Sequence, residues 1–281
     1  MRGKIVVITG ASSGIGLLTA VELARRGHTV VATVRNLSRR TRLDEAAATA
    51  GVAGRLDFRR LDVTEFDSIP TVVAEIVRDH GRIDVLVNNA GFAVAGFAED
   101  LKMEEIRMQF ETNYFGHVAM TKAVLPVMRK QGSGHIIMIS SISGRAAAPV
   151  TGAYSASKFA LEGWSEALRI ELRSLGIRVV LVEPGAFQTD IWERNVHLGE
   201  FAISPQSPNH ERGKRFTEFV RTEVHKRDAR VVADLIARIA ENPNPKLRYR
   251  IGADAHLQFW LRAILPWKTY ERLIERAMRI G

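Results

Sequence analysis

Short β-branched runs alternate with longer amphipathic stretches along most of this chain, and that alternation restricts the fold more than any other feature. Lys4–Thr9, Thr29–Val34, Leu56–Arg60, Val85–Asn88, His135–Ser140, Arg178–Glu183 and Leu247–Ile251 read as strands. Helical periodicity lies between them, near 15–26, 67–79, 104–130, 155–174 and 229–240. Glycines at 27, 81 and 176 supply the stops expected after three of these helices. A strand reached through a crossover helix lies parallel to its predecessor, and parallel strands are covered on both faces, which explains their near-continuous apolar runs. The sequence therefore predicts an α/β fold, a doubly wound, mainly parallel seven-stranded sheet with helices on both faces.

Two segments depart from the alternation. Residues 190–228 include Ser204-Pro205-Gln206-Ser207-Pro208-Asn209 and read as a mobile excursion, a substrate lid. Residues 254–281 read as a basic, amphipathic helical tail. The remainder is one domain, residues 1–253, with the lid inside it. No apolar run reaches the roughly 18 residues of a membrane span. The first strand begins at Lys4, so no signal peptide is expected. The chain has no cysteine, which removes disulfides and thiolate chemistry and fits a cytoplasmic setting. The histidines show no ligand-like clustering, and no metal is expected.

Formal net charge is +9, unevenly spread. From Asn242 to Gly281 eight Lys/Arg stand against three Asp/Glu, giving +5, whereas the preceding residues hold 32 against 28, giving +4. That is a local basic face. With no ribonucleoprotein motif and no zinc-finger spacing, nucleic acid is not expected as a partner.

The first strand runs through Thr9-Gly10-Ala11-Ser12-Ser13-Gly14-Ile15-Gly16 into a helix. Glycines at 10, 14 and 16 permit a tight turn and close approach of backbone to a pyrophosphate, while the helix start offers unpaired N–H groups and a positive dipole end. A glycine-rich loop alone can be a purely structural turn. The strand–turn–helix context favours a Rossmann-type dinucleotide site. An NAD enzyme places an acidic residue at the end of the second strand to hold the ribose 2′-hydroxyl. No acid occurs from Val30 to Arg42; Arg35, Arg39, Arg40 and Arg42 stand there instead. Arg35, at the strand end, suits a 2′-phosphate by charge and fork geometry, whereas Arg40 and Arg42 read as a solvated helix start. NADP(H) is expected over NAD(H).

Five separated motifs then follow in one order: Thr9–Gly16, Asn88-Asn89-Ala90-Gly91, Asn113, Ser141 and Tyr154-Ser155-Ala156-Ser157-Lys158. In this the chain resembles the short-chain dehydrogenase/reductase family, over about residues 4–252, with a layout similar to its hydroxysteroid and retinol dehydrogenase branch. Asp62-Val63 matches the family's adenine-side position, and Pro184-Gly185-Ala186-Phe187-Gln188-Thr189 follows the sixth strand as it does there. The resemblance implies cofactor contacts from Gly10, Ser12, Ser13, Gly14, Ile15, Gly16, Arg35, Asp62, Val63, Asn89, Ala90, Gly91, Tyr154, Lys158, Pro184, Gly185 and Thr189. It implies a catalytic set of Asn113, Ser141, Tyr154 and Lys158, in which Lys158 holds the nicotinamide ribose and Asn113 a water linking Lys158 to solvent. It also implies a homodimer or homotetramer.

The residue chemistry agrees with this reading. A carbonyl that takes up hydride needs a proton, and an alcohol that loses hydride must release one. A free tyrosine, with a pKa of about 10, is a poor base near neutrality. Tyr154 and Lys158 share a helix face, so the ammonium, with the positive ring of oxidised nicotinamide, is expected to favour the phenolate. Ser141 ends the fifth strand, where its hydroxyl can hold the substrate oxygen beside Tyr154.

Apolar residues cluster around these motifs. Phe92, Val94, Phe187 and Trp192, with Ser141 and Tyr154, are the expected substrate contacts and favour a hydrophobic small molecule, steroid-, retinoid- or lipid-like. Two other readings remain open: a 3-oxoacyl reductase acting on carrier-bound chains, and a dinucleotide-sensing binding protein without turnover. In the tail, Leu257, Trp260, Leu261 and Ile264, then Trp267, Tyr270, Leu273, Ile274 and Ala277, recur at helical spacing among Arg262, Lys268, Arg272, Arg276 and Arg279. Pro266 is expected to break the pattern. Such a stripe packs on its own domain or a partner subunit, or lies peripherally on an anionic membrane.

Overall fold

The computed structural model describes residues 3–192, 194–202, 204–222 and 226–278. In chain order the elements are β1 (Ile5–Ile8), α1 (Gly14–Arg25), β2 (Thr29–Val34), α2 (Thr41–Thr49), β3 (Leu56–Arg60), α3 (Ile69–His80), β4 (Val85–Asn88), β5 (Ala93–Ala95), α4 (Met103–Phe110) and α5 (Gly116–Gln131). They continue with β6 (Gly134–Ile139), α6 (Gly152–Leu172), β7 (Ile177–Pro184), β8 (Val196–Leu198), α7 (His210–Thr222), α8 (Arg230–Glu241), β9 (Arg248–Ile251), α9 (Ala253–Ile264) and α10 (Trp267–Met278).

Seven strands form one sheet in the order β3-β2-β1-β4-β6-β7-β9, parallel throughout, as the alternation predicts. Val7 pairs with Val31 on one side and Leu86 on the other. Successive strand residues point to opposite faces, and each face has its own core. Val6, Ile8, Val30 and Val87 pack with Leu23 of α1 and Ile236 of α8; Val7, Val31 and Leu86 pack with Ile76 of α3, Met120 of α5 and Leu161 of α6. Each fully buried aliphatic side chain contributes about 1.5–3 kcal/mol relative to exposure. Strand order reverses between β1 and β4, so the crevice beyond their carboxyl ends is the switch point where such sheets bind ligands.

Three local differences from the sequence reading bear on the site. Helix α2 forms where only a run of arginines was evident, because it buries Leu43 and Ala47 against the sheet; so short a helix is held by packing more than by propensity. The stretch 104–130 is not one uniform helix. It carries a π turn at Glu111–Phe115 between α4 and α5, and fully buried Asn113 sits in that turn. The excursion 190–228 is also more anchored than its turn-forming residues suggest. Strand β8 pairs with β5, and Ser207 and Asn209, both buried, hydrogen-bond the Asp100 carboxylate at 2.8 and 3.2 Å. Glu105 accepts from the His197 ring at 2.9 Å and from the Glu200 N–H at 3.0 Å. Buried carboxylates thus hold a segment that short-range turn signals leave free. Pro266 separates α9 from α10 as expected.

Candidate active site

At the end of β1 the chain enters its glycine turn. Gly10 has φ +68, and a Cβ there would lie 2.8 Å from the Ala90 backbone; a Cβ on Gly16 would lie 2.4 Å from the Asn89 amide. Two loops therefore meet more closely than side chains permit. They are stapled together: the Thr9 hydroxyl accepts from the N–H groups of Asn89 and Ala90 at 2.9 and 3.0 Å, and the Asn89 amide donates to the carbonyls of Thr9 and Gly10 at 2.9 and 3.1 Å. Asn88 points inward and donates to the Thr121 hydroxyl at 3.0 Å. Helix α1 begins at Gly14 behind Ser13, whose side chain makes no capping hydrogen bond. The first-turn N–H groups of Gly14, Ile15 and Gly16 are the orphan donors that an anion satisfies. Gly14 and Thr189 also border a cavity of about 570 Å³ whose rim includes Arg42, Arg221 and Lys226. Glycine cradle and uncapped helix start fit a dinucleotide pyrophosphate.

The arginines after β2 divide by their partners. Arg40 pairs with Asp44 at 3.1 Å and lies over the Phe58 ring, and Arg42 pairs with Asp190 at 2.8 Å. Arg35 and Arg39 are exposed, and among the described residues their guanidinium groups have no hydrogen-bond or ion-pair partner. Asp62 accepts from the N–H and hydroxyl of Thr64, and Val63 is buried against Gly116.

At the carboxyl ends of β6 and β7 a second group converges. Ser141 follows β6 in extended conformation, and its hydroxyl accepts from the Ser143 N–H at 3.1 Å and hydrogen-bonds Tyr154. Tyr154 and Lys158, one turn apart on α6, are 4% and 3% exposed. The Lys158 ammonium donates to the Ile139 carbonyl at 2.7 Å and lies 5.7 Å from the Tyr154 ring centroid. Beside them Asn113 bridges both backbone polar atoms of Phe92, and the Gln109 amide donates to the same carbonyl at 2.9 Å. Ser141, Tyr154 and Lys158 are thus brought together, and Asn113 shapes the neighbouring Gly91–Phe92 loop.

The model of the short chain dehydrogenase family matches residues 4–197. The chain belongs to this family. It is 42% identical to the oxidoreductase YusZ of Bacillus subtilis over 99% of both chains. It is 39% identical to the 3-ketodihydrosphingosine reductase of Bacteroides thetaiotaomicron, covering 92% of this chain and 91% of that one. Human retinol dehydrogenase 8 matches at 43% over 66% of this chain and 60% of its own. Among solved structures, a short-chain dehydrogenase from Streptomyces avermitilis superposes with a TM-score of 0.80 at 34% identity, over 96% of this chain and 97% of that one. The NADP-bound ElxO superposes at 0.74 with 26% identity, over 89% and 97%.

In this short-chain dehydrogenase the remaining expected contacts scatter. Pro184 ends β7, and Gly185 lies so close to the Asp254 carboxylate that a Cβ would fall 2.2 Å from it; the same carboxylate accepts from the Ala186 N–H at 2.6 Å. This expected cofactor loop is therefore pinned by the first turn of α9. Phe187, expected at the substrate, is 5% exposed and packs with the core that includes α1 and α8, where it forms an isolated parallel bridge to Arg227. Val94 is fully buried in β5, and Phe92 is half-buried. The Trp192 side chain lies outside the described residues.

Electrostatics depart from the simple expectation for Tyr154. Burial pushes its phenol up to about 12, against a smaller lowering by the Ser141 hydrogen bond. Burial likewise brings the Lys158 ammonium down to about 8, opposed by Glu162. A low-dielectric pocket disfavours both charged forms, so the protein's own groups keep the phenol protonated. His117 went unnoticed in the sequence. It is fully buried, and burial followed by the Lys158 charge brings it down to about 3, so its neutral ring donates from Nε2 to the Ala90 carbonyl at 2.7 Å. A buried charge network was equally hidden: Arg248 reaches Glu162 at 2.9 Å and Glu183 at 3.1 Å, and Arg250 reaches Glu183 at 2.8 Å. Its members come from α6, β7 and β9, and no local spacing links them.

Proposed function

We propose that the protein is an NADP(H)-dependent oxidoreductase acting on a hydrophobic alcohol/ketone pair, with Tyr154 as the proton donor and acceptor. The observation that carries this reading is the buried Tyr154–Lys158 pair with half-buried Ser141 at the carboxyl edge of the sheet, beside a glycine cradle and an uncapped helix start. A nicotinamide dinucleotide, when bound, supplies or accepts the hydride. Gly10, Ser12, Ser13, Gly14, Ile15 and Gly16 would hold its pyrophosphate, Asp62 and Val63 its adenine side, and Asn89, Ala90, Gly91, Pro184, Gly185 and Thr189 the rest of its length. Arg35, seconded by Arg39, would meet the 2′-phosphate, since these two guanidiniums are exposed and lack carboxylate partners.

In the reductive direction Ser141 holds the carbonyl oxygen and Tyr154 gives it a proton. A phenol held up near 12 in the protein alone is well set to donate. In oxidation Tyr154 must accept a proton, and a cationic ring nearby lowers its pKa. Lys158, fixed by the Ile139 carbonyl, would steady the ribose and carry the positive charge. Asn113 would keep the Gly91–Phe92 loop in place beside the cofactor.

Half-buried, apolar Phe92 and the names of two relatives, a 3-ketodihydrosphingosine reductase and a retinol dehydrogenase, support a lipid-like substrate. The domain is read as residues 1–253, with 190–228 the lid and 254–281 the tail, in a cytoplasmic homodimer or homotetramer. The deciding experiment follows NADPH consumption over a panel of hydrophobic ketones, with NADH in parallel. Turnover preferring NADPH is the expected result. NADPH binding without turnover on any ketone points to a carrier-bound substrate or a sensor, and failure to bind either cofactor overturns the reading.

A further inference from the structure

Helix α9 packs its less greasy face inward. Ala255 is buried, and Phe259 lies beneath the Arg250 guanidinium, 3.5 Å from the ring centroid. The outer face carries Leu257, Trp260 and Ile264, spaced so that they form one stripe, and Trp267 opens the next helix. These four are 61%, 55%, 70% and 57% exposed. Helix α10 behaves conventionally by comparison, burying Tyr270 and turning its charged residues outward. A contiguous row of large apolar side chains held in water marks an interaction surface.

We propose that the Leu257–Trp260–Ile264–Trp267 face docks peripherally on an anionic lipid bilayer. Arg262, Lys268, Arg272 and Arg276 are exposed around it, against Glu271 and Glu275. Charge separates a bilayer from a second copy of the chain. These four cations against two carboxylates leave the face positive, so two copies meeting here bring like charges together, whereas an anionic surface is attracted by the same residues. Tryptophan suits the depth of lipid headgroups, with its apolar ring inward and its indole N–H outward. No helix among the described residues is long and apolar enough to cross a membrane, so α9 lies in the interface plane.

The placement has a consequence for the site. Asp254 in the first turn of α9 accepts from the Ala186 N–H and pairs with Arg227 at 3.0 Å, and α10 packs against α7 of the lid segment. A docked α9 thus sets the mouth of the carboxyl-edge crevice near the lipid. Docking itself does not depend on the proposed reaction, since a protein without turnover would still bind vesicles.

The test is co-sedimentation of the full chain with vesicles of phosphatidylcholine alone and with about 30% phosphatidylglycerol, monitored also by tryptophan emission. Expected is at least about tenfold tighter binding to the anionic vesicles, a blue-shifted emission, and weakening near about 0.5 M salt. Trp260→Ser combined with Ile264→Ser should weaken binding about tenfold while leaving NADPH affinity and turnover of a water-soluble ketone unchanged. Absence of binding to anionic vesicles, or equal binding by the double variant, overturns the proposal. So does a wild-type dimer that the same variant dissociates in the absence of vesicle binding, which would assign the stripe to a second copy.

Discussion

Asn113 holds Phe92 at both of its backbone polar atoms, accepting from its N–H at 3.1 Å and donating to its carbonyl at 3.0 Å. The π turn makes this reach available, and Gly91 leaves room for it, since a Cβ there would come 3.2 Å from the Asn113 oxygen. Asn113→Ala removes both bonds inside the protein. The expected loss is about 1–3 kcal/mol in urea unfolding, with turnover down at least about tenfold. Unchanged stability and turnover would show that the loop holds itself.

Tyr154→Phe keeps the ring and removes the hydroxyl that the proposed reaction uses to give and take the proton. NADPH affinity should stay within about twofold while kcat falls by about 10²–10⁴. Isothermal titration and steady-state kinetics check the two halves separately, and retained turnover would mean that the proton path runs elsewhere.

Arg35 and Arg39 differ from Arg40 and Arg42 in having no carboxylate partner among the described residues. Arg35→Ala with Arg39→Ala should raise KM for NADPH about tenfold or more, a charge-assisted bond being worth about 1.5–3 kcal/mol, and leave NADH kinetics alone. Equal effects on both cofactors would argue against a 2′-phosphate contact.

Burial brings the Lys158 ammonium down to about 8, so its charge is lost as pH rises through that value. The free-enzyme parameter kcat/KM for NADPH should therefore fall as pH rises through about 8, and Lys158→Met should abolish that limb. A wild-type profile flat across this region would separate Lys158 from cofactor capture.

Glu105 anchors the segment after β7. Burial pushes its carboxyl up, but hydrogen bonds from the Lys102 N–H, the His197 ring and the Glu200 N–H outweigh burial and hold it below the usual range. A depressed carboxylate stabilises the fold above its unfolded pKa and ceases to do so as pH falls through the folded one. Glu105→Gln should cost about 1.5–3 kcal/mol at neutral pH, and the gap from wild type should narrow in acid. Limited proteolysis should then cut first within residues 190–228. A gap independent of pH would show that the charge is not what anchors the segment.

Much of the architecture was readable because it depends on local pattern. Five of the seven strands of the main sheet follow from β-branched runs and β3 and β9 from their place in the alternation, and the glycine stops at 27, 81 and 176 from the left-handed backbone they permit, with φ of +88, +76 and +72. Ser141, Tyr154 and Lys158 were visible for a related reason, since two of them are fixed by helical spacing and the third by a strand end. That Phe187 packs with α1 and α8 residues is not legible from the sequence, because chemical type alone does not say what a residue following a strand will meet. Asp100 and Glu105 carry no local signal of their role, though they hold a segment about a hundred residues away.

The sequence by itself determined the strand–helix order, the glycine turn and the residue types that meet beside it, because periodicity, glycine freedom and side-chain chemistry are properties of short stretches. Tertiary structure decided which face of α9 meets water, that His117 stays neutral, that the Tyr154 phenol rises to about 12, and that Arg248 joins Glu162 to Glu183. These depend on burial and on distances between residues far apart in the chain, and dielectric environment exists only once the chain has closed around it.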